Sequence, residues 1–139
     1  MRITSFLLAD AAQESGGKLY IIGGGWNIIT ASHAPPPAIS QRAIALVALL
    51  SIGWTEANEP IGFEINLVDA DERPVIPEPL RGQLTIGRPP QIPKGTDQVM
   101  PFVVNFNDLT FEHLGTYAFT FRADDKELGR VAFHIIANT

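Results

Sequence analysis

Ile61-Gly-Phe-Glu-Ile-Asn-Leu67 alternates without a break: Ile61, Phe63, Ile65 and Leu67 share one parity, Glu64 and Asn66 the other. Successive side chains of a strand point to opposite faces, so this segment predicts a sheet with one apolar and one wetted surface. The same period recurs at Leu80–Ile86, with Leu80, Leu84 and Ile86 opposed to Arg81, Gln83 and Thr85. Near the C-terminal end, Tyr117, Phe119, Phe121 and Ala123 oppose Thr116, Thr120 and Arg122, and Val131, Phe133 and Ile135 oppose Arg130 and His134. The polar break Asp124-Asp125-Lys126-Glu127 between these two runs has the length that closes a hairpin.

Other segments are apolar on both sides. Lys18–Ile22 runs into Gly23-Gly24-Gly25 and then Trp26–Ile29; glycines inside a strand mark a bulge or bend, here one that lets the strand change sheet. Met100–Phe106 carries Pro101, which cannot donate to a ladder and so predicts an edge or a bulge. Ala43–Trp54 is open to a helical reading from Ser40 as a cap and from its Ala and Leu content. However, Ile44, Leu46, Leu50, Ile52 and Trp54 share the even parity while Ala43, Ala45, Ser51 and Gly53 share the odd, which fits a strand. Eight strands are expected, near 2–10, 18–30, 41–54, 61–69, 80–87, 98–106, 116–124 and 128–137. With no helices to carry parallel crossovers, they predict an all-β, mainly antiparallel β-sandwich.

The 139 residues include 12 Gly and 11 Pro, are 45% hydrophobic, and suit a single domain over residues 1–139. Cysteine is absent, which removes disulfides, thiolate zinc sites and a cysteine nucleophile. Ten basic against fifteen acidic residues give −5, from which no nucleic-acid partner is expected. The run Phe6–Ala9 is shorter than the roughly 7–15 apolar residues of an export signal, and no run approaches the roughly 18 of a membrane span. A cytoplasmic protein without membrane contact is expected.

Two resemblances add to this. His113-Leu-Gly-Thr-Tyr117 resembles the tyrosine corner of immunoglobulin-like sandwiches, which implies a phenol capping a loop backbone group. Leu7-Leu-Ala-Asp-Ala11 followed by Gly17-Lys-Leu19, with Gly115-Thr-Tyr117 and Gly129-Arg-Val131 near the other end, resembles a bacterial family of uncharacterised small proteins, a domain of unknown function. That resemblance implies one small β domain and no chemistry.

Chemistry-bearing residues are sparse. Gly23–Gly25 lacks the Lys-Ser/Thr and the helix that a phosphate loop needs. His33, His113 and His134 have no metal-motif spacing; a histidine-dependent hydrolase would need one of them beside a carboxylate. Asp69, Asp71 and Glu72 are the candidate calcium ligands, joined by Asp97, Asp124 and Asp125 if their loops share an end; the plainer reading is a polar turn. Trp26, Trp54, Tyr20, Phe102 and Phe106 are expected in the core rather than in a ligand groove. No catalytic residue and no cofactor are assigned. The expected function is a non-enzymatic binding or assembly module working through protein–protein contacts, with self-association or a homodimer included. The alternatives are a small-ligand or calcium-dependent module and, behind these, the hydrolase.

Overall fold

The computed structural model describes residues 1–32 and 34–138. Among them are nine strands, β1 (Arg2–Ser15), β2 (Lys18–Gly24), β3 (Ile28–Thr30), β4 (Ser40–Ile52), β5 (Ile61–Asp69), β6 (Leu80–Leu84), β7 (Gln98–Phe111), β8 (Gly115–Ala123) and β9 (Lys126–Ile136), with one 3₁₀ turn at Trp54–Glu56. They form two sheets, ordered β2-β1-β4-β7 and β3-β9-β8-β5-β6. Every pairing is antiparallel except β3 with β9. The chain is an all-β sandwich, as the period-two pattern predicts.

Turn chemistry fixes the register. Asp124 and Asp125 both have positive φ (50° and 61°) between the facing pair Ala123 and Lys126, the two-residue arrangement whose twist matches that of the strands. Gly16 and Gly17 (φ 59° and 76°) close β1 onto β2 in the same way, with Ser15 opposite Lys18. The triple glycine acts as expected: β2 lies in the four-stranded sheet and β3 in the five-stranded one, so the chain changes sheet at Gly23–Asn27. One expected strand, 18–30, is therefore two.

The aromatic core joins the layers. Phe102 on β7 meets Phe63 on β5 edge-on at 5.2 Å and Phe121 on β8 at 5.5 Å, and Phe106 on β7 meets Phe119 on β8 at 5.1 Å. Phe119 and Phe121 are fully buried together with Leu8, Ile29, Ile44, Leu46, Leu50, Ile52, Ile65, Leu67, Phe111 and Phe133, and Phe63, Phe102 and Phe106 pack against them partly buried. Burying an aliphatic or Phe side chain stabilises by roughly 1.5–3 kcal/mol relative to exposing it, so this layer outweighs any surface ion pair. Two of the five aromatics expected inside are elsewhere. Tyr20 is 52% exposed on β2, and Trp54 stacks under the Arg88 guanidinium at 4.1 Å outside the core cluster. Tyr20 belongs to β2, the edge strand of its sheet, and Trp54 follows the end of β4 into the 3₁₀ turn.

Candidate functional site

The two sheets differ on their outer faces. The five-stranded sheet turns Glu64, Asn66, Arg81, Arg122, Arg130 and His134 outward, as an antiparallel sheet facing water should. The four-stranded sheet does not. Its outer side carries Leu7, Ala9, Ala45, Val47 and Leu49, and Ala9, Ala45 and Val47 are buried there under Ala12 and Leu19. The cover comes from the β1–β2 hairpin. Past Ala9 opposite Ala45, β1 leaves the β4 ladder, and the Asn105 side chain on β7 donates to the Ala12 carbonyl at 3.0 Å. The hairpin thus lies over Ala45 and Val47 of β4 and shields them from water.

Leu19 faces this cluster, so Tyr20 and Ile22, of opposite parity to it, point away into solvent. Ile22 is 71% exposed and Ile21 39%. Among the described residues no strand lies beyond β2 in this sheet, so it forms the sheet's edge and presents a row of backbone N–H and C=O groups outward. Sequence pattern missed this site because a strand apolar on both sides reads the same at an edge as in a core. The one available signal was the Gly-Gly turn before it and the triple glycine after it, which isolate a short hairpin arm.

The predicted acidic site is otherwise engaged. Asp69 Oδ1 accepts the N–H groups of Asp71 and Arg73, both at 2.9 Å, and thereby builds the turn that ends β5. Glu72 takes the Arg130 guanidinium in a two-point pair at 2.6 and 3.1 Å, and that cation holds its carboxyl below the usual range. Asp124 and Asp125 are at the far end of the sheet, since Ala123 faces Phe63 whereas Asp69 faces Tyr117. Asp97 lies beside Gly53 and Glu56, in another shallow depression. Among the described residues no three His, Asp or Glu side chains are grouped as a cation would require.

His33 lies outside the described residues. His134 Nδ1 is 2.9 Å from Thr116 Oγ1 on the outer sheet face. His113 contributes its backbone: the Tyr117 hydroxyl donates to its carbonyl at 2.6 Å, the corner contact implied by the Gly-Thr-Tyr motif. These two residues, with Asp69, Arg73, Val75 and Phe111, line a cleft of about 330 Å³. Among the described residues no ion pair joins a histidine to a carboxylate. A larger, open trough of about 470 Å³ crosses Gly62, Glu64, Arg81 and Arg122. Arg81 and Asn66 bond the Glu64 carboxylate at 3.1 and 2.8 Å and lower its pKa, which makes it a weak proton acceptor.

The model of a family of unknown function, DUF6941, matches residues 4–136. The chain belongs to that family. No curated protein matches it in sequence. Among solved structures it is similar to the Pseudomonas fluorescens alkylpurine DNA glycosylase AlkC bound to DNA containing an abasic site analog, at 15% identity and a TM-score of 0.39. The likeness covers 80% of this chain and 28% of the glycosylase, so the chain spans well under a third of that protein. This corrects the expected partners, which excluded nucleic acid on net charge: the matched chain was solved on DNA. A sum over the whole surface does not decide what one face meets. A likeness this distant puts no partner in place of the exclusion. No helix among the described residues is long and apolar enough to cross a membrane.

Proposed function

We propose that this chain is a non-enzymatic binding module that works through protein contacts, with the β1–β2 hairpin as its contact element. The observation that supports this reading is the exposure of Tyr20, Ile21 and Ile22 together on β2, the edge strand of its sheet. Large apolar side chains gathered on a monomer's surface mark interaction sites more often than chance exposure does. Glu56, Glu64 and Glu72 are each held below the usual carboxylate range by a cationic partner, which weighs toward binding and against proton-transfer chemistry at those carboxyls. Cytoplasmic placement belongs to the same reading and is supported by the absence of cysteine.

The test is affinity capture on the immobilised full chain beside a Tyr20→Glu/Ile22→Glu variant. A protein retained by the first and lost from the second is expected. Retention by neither, or equally by both, refutes the assignment of function to this hairpin.

A further inference from the structure

Apart from the hairpin, we infer that the outer face of the five-stranded sheet holds a small-molecule site: the trough over Gly62 takes an ω-amino carboxylate, its carboxylate on Arg81 and its ammonium group against Asp124 and Asp125. Gly62 carries the inference. Glycine weakens a strand, so its presence within one calls for a bulge, a bend, a close backbone approach or a ligand to explain it. Gly23, Gly24, Gly82 and Gly129 are explained by crowding, since a Cβ at any of them would come closer than 3.0 Å to a neighbouring side chain, and Gly115 by its φ of 135°. Gly62 has neither reason. Its φ lies outside the left-handed region, and a Cβ there would meet nothing within 4 Å. It pairs in unbroken register, opposite Gln83 between the pairs Ile61–Leu84 and Phe63–Gly82, so no bulge lies there. The missing side chain leaves bare backbone as the floor of a trough of about 470 Å³, within the roughly 300–1,000 Å³ of small-molecule sites.

The walls determine what the floor receives. Arg81 on β6 and Arg122 on β8 both stand opposite Glu64 on β5. Arg81 gives only its Nε to Glu64, at 3.1 Å, and among the described residues its two terminal nitrogens have no partner. They are the end-on fork with which a guanidinium grips a carboxylate. The Glu64 charge is already shared between Arg81 and the Asn66 amide at 2.8 Å, with Arg122 beside it. On the other wall Asp124 and Asp125 make the β8–β9 turn, and among the described residues neither carboxylate is in an ion pair. Arg122 holds that turn in place by donating to the Asp125 carbonyl at 3.0 Å. A ligand of one sign would leave the opposite wall facing it uncompensated, whereas a molecule carrying both signs meets each. With β5 between them, the walls stand two strand spacings apart, roughly 10 Å at the backbone. An α-amino acid, with both charges on one carbon, does not span them; an amine several methylenes from its carboxylate does. Free ω-amino acids and the C-terminal lysine of a peptide share that chemistry.

The experiment titrates 6-aminohexanoate into the full chain while backbone amide shifts are followed residue by residue, with hexanoate, hexylamine and glycine as controls. Saturable shifts are expected at Gly62, Gln83 and residues 122–126, and each control should bind on the order of tenfold more weakly or less. Arg81→Gln should weaken binding on the order of tenfold, and so should Asp124→Asn with Asp125→Asn, which keeps residues tolerant of positive φ in the turn. Gly62→Val should abolish the shifts while holding or raising the melting temperature, because a β-branched residue suits a strand better than glycine does. Gly62→Ala, whose Cβ has open space, should weaken binding with the fold intact. A short peptide ending in lysine is titrated beside its carboxamide; binding of the acid and not of the amide supports the same site, read from a polypeptide end. No saturable shift with either ligand overturns the proposal, as do shifts centred on β2 or on the cleft beside Tyr117. Equal binding of hexanoate or hexylamine overturns the choice of a doubly charged ligand, and binding undiminished in Gly62→Val overturns the part given to the floor. Affinity capture through the hairpin is decided separately from all of these.

Discussion

Replacing Tyr117 by Phe removes one oxygen and little else. The ring stays against Phe111 at 4.9 Å and Phe133 at 5.7 Å, both inside the core, so packing is retained. What disappears is the 2.6 Å bond from the hydroxyl to the His113 carbonyl, which ties the segment before β8 to the end of the sandwich. His113 is exposed, so water replaces the lost donor and the cost is the net worth of one neutral hydrogen bond, about 1 kcal/mol. An unfolding entropy of roughly 2.1 cal/mol/K per residue over this length converts that to a fall of about 3–4 °C in melting temperature at pH 7. The pH dependence adds a second reading. Burial raises the Tyr117 pKa above its ordinary value, and the carboxylates of Asp69 and Glu112 push the same way. A raised folded-state pKa means this contribution is complete below about pH 10, where the unfolded phenol begins to ionise, and is lost as pH climbs through the folded value. The gap between the two proteins should therefore narrow in alkali. Calorimetry on both from neutral pH upward measures it. Equal melting temperatures at pH 7, or a gap that widens in alkali, would show that the phenol does not pin this corner.

Four shorter predictions follow from the same structure. Gly82→Ala places a Cβ 2.7 Å from Phe63 Cζ, and Phe63 is held by Phe102 and Phe121; urea titration should show a loss of about 1–3 kcal/mol from overpacking. Phe121→Ala empties the junction of Phe6, Phe63 and Phe102 at a fully buried position, and should cost about 3–5 kcal/mol by the same measurement. Glu64→Gln should flatten the acid limb of the stability curve. The lowered Glu64 pKa gives a contribution present above the ordinary carboxylate range and lost as pH falls through the folded value, so an unchanged acid midpoint would refute the Arg81–Asn66 pairing. Calcium should leave the melting temperature where EDTA leaves it, because Asp69 is committed to its turn and Glu72 to Arg130; a rise with calcium would overturn that account.

The strands were legible wherever one face is wet. Along β5, β8 and β9 the polar residues keep to one parity (Glu64 and Asn66; Thr116, Thr120 and Arg122; Arg130 and His134), so both the element and its inner face could be read directly. Turn chemistry was equally plain at Asp124-Asp125, where two residues tolerant of positive φ sit between alternating runs. Ala43–Ile52 was harder, and its parity of large and small side chains proved the better guide than its Ala and Leu content. Strand ends were misjudged where tertiary partners override local preference. Ala11–Ser15 looks unlike a strand, yet β2 pairs with it residue by residue from Ala11 opposite Ile22 to Ser15 opposite Lys18. β7 likewise continues to Phe111 because Ser40 and Arg42 on β4 hold its far half. The hairpin's exposure could not be read at all, since hydrophobicity says that a residue avoids water and leaves open which molecule shields it. The acidic turn was identified correctly as a turn, but only the fold brings Arg130 to Glu72 from a distant strand.

The parallel pairing of β3 with β9 has a consequence for synthesis. Ile28 emerges from the ribosome early but has its ladder partner in His134, so most of the chain must be made before that margin can close. Until then a nascent chain carries the Tyr20–Ile22 arm and an unclosed neighbour side by side, and any stalled or clipped product lacking β9 keeps both open. Cells should accordingly treat such fragments as chaperone or protease substrates, and expression in pieces should yield inclusion bodies where the intact chain does not.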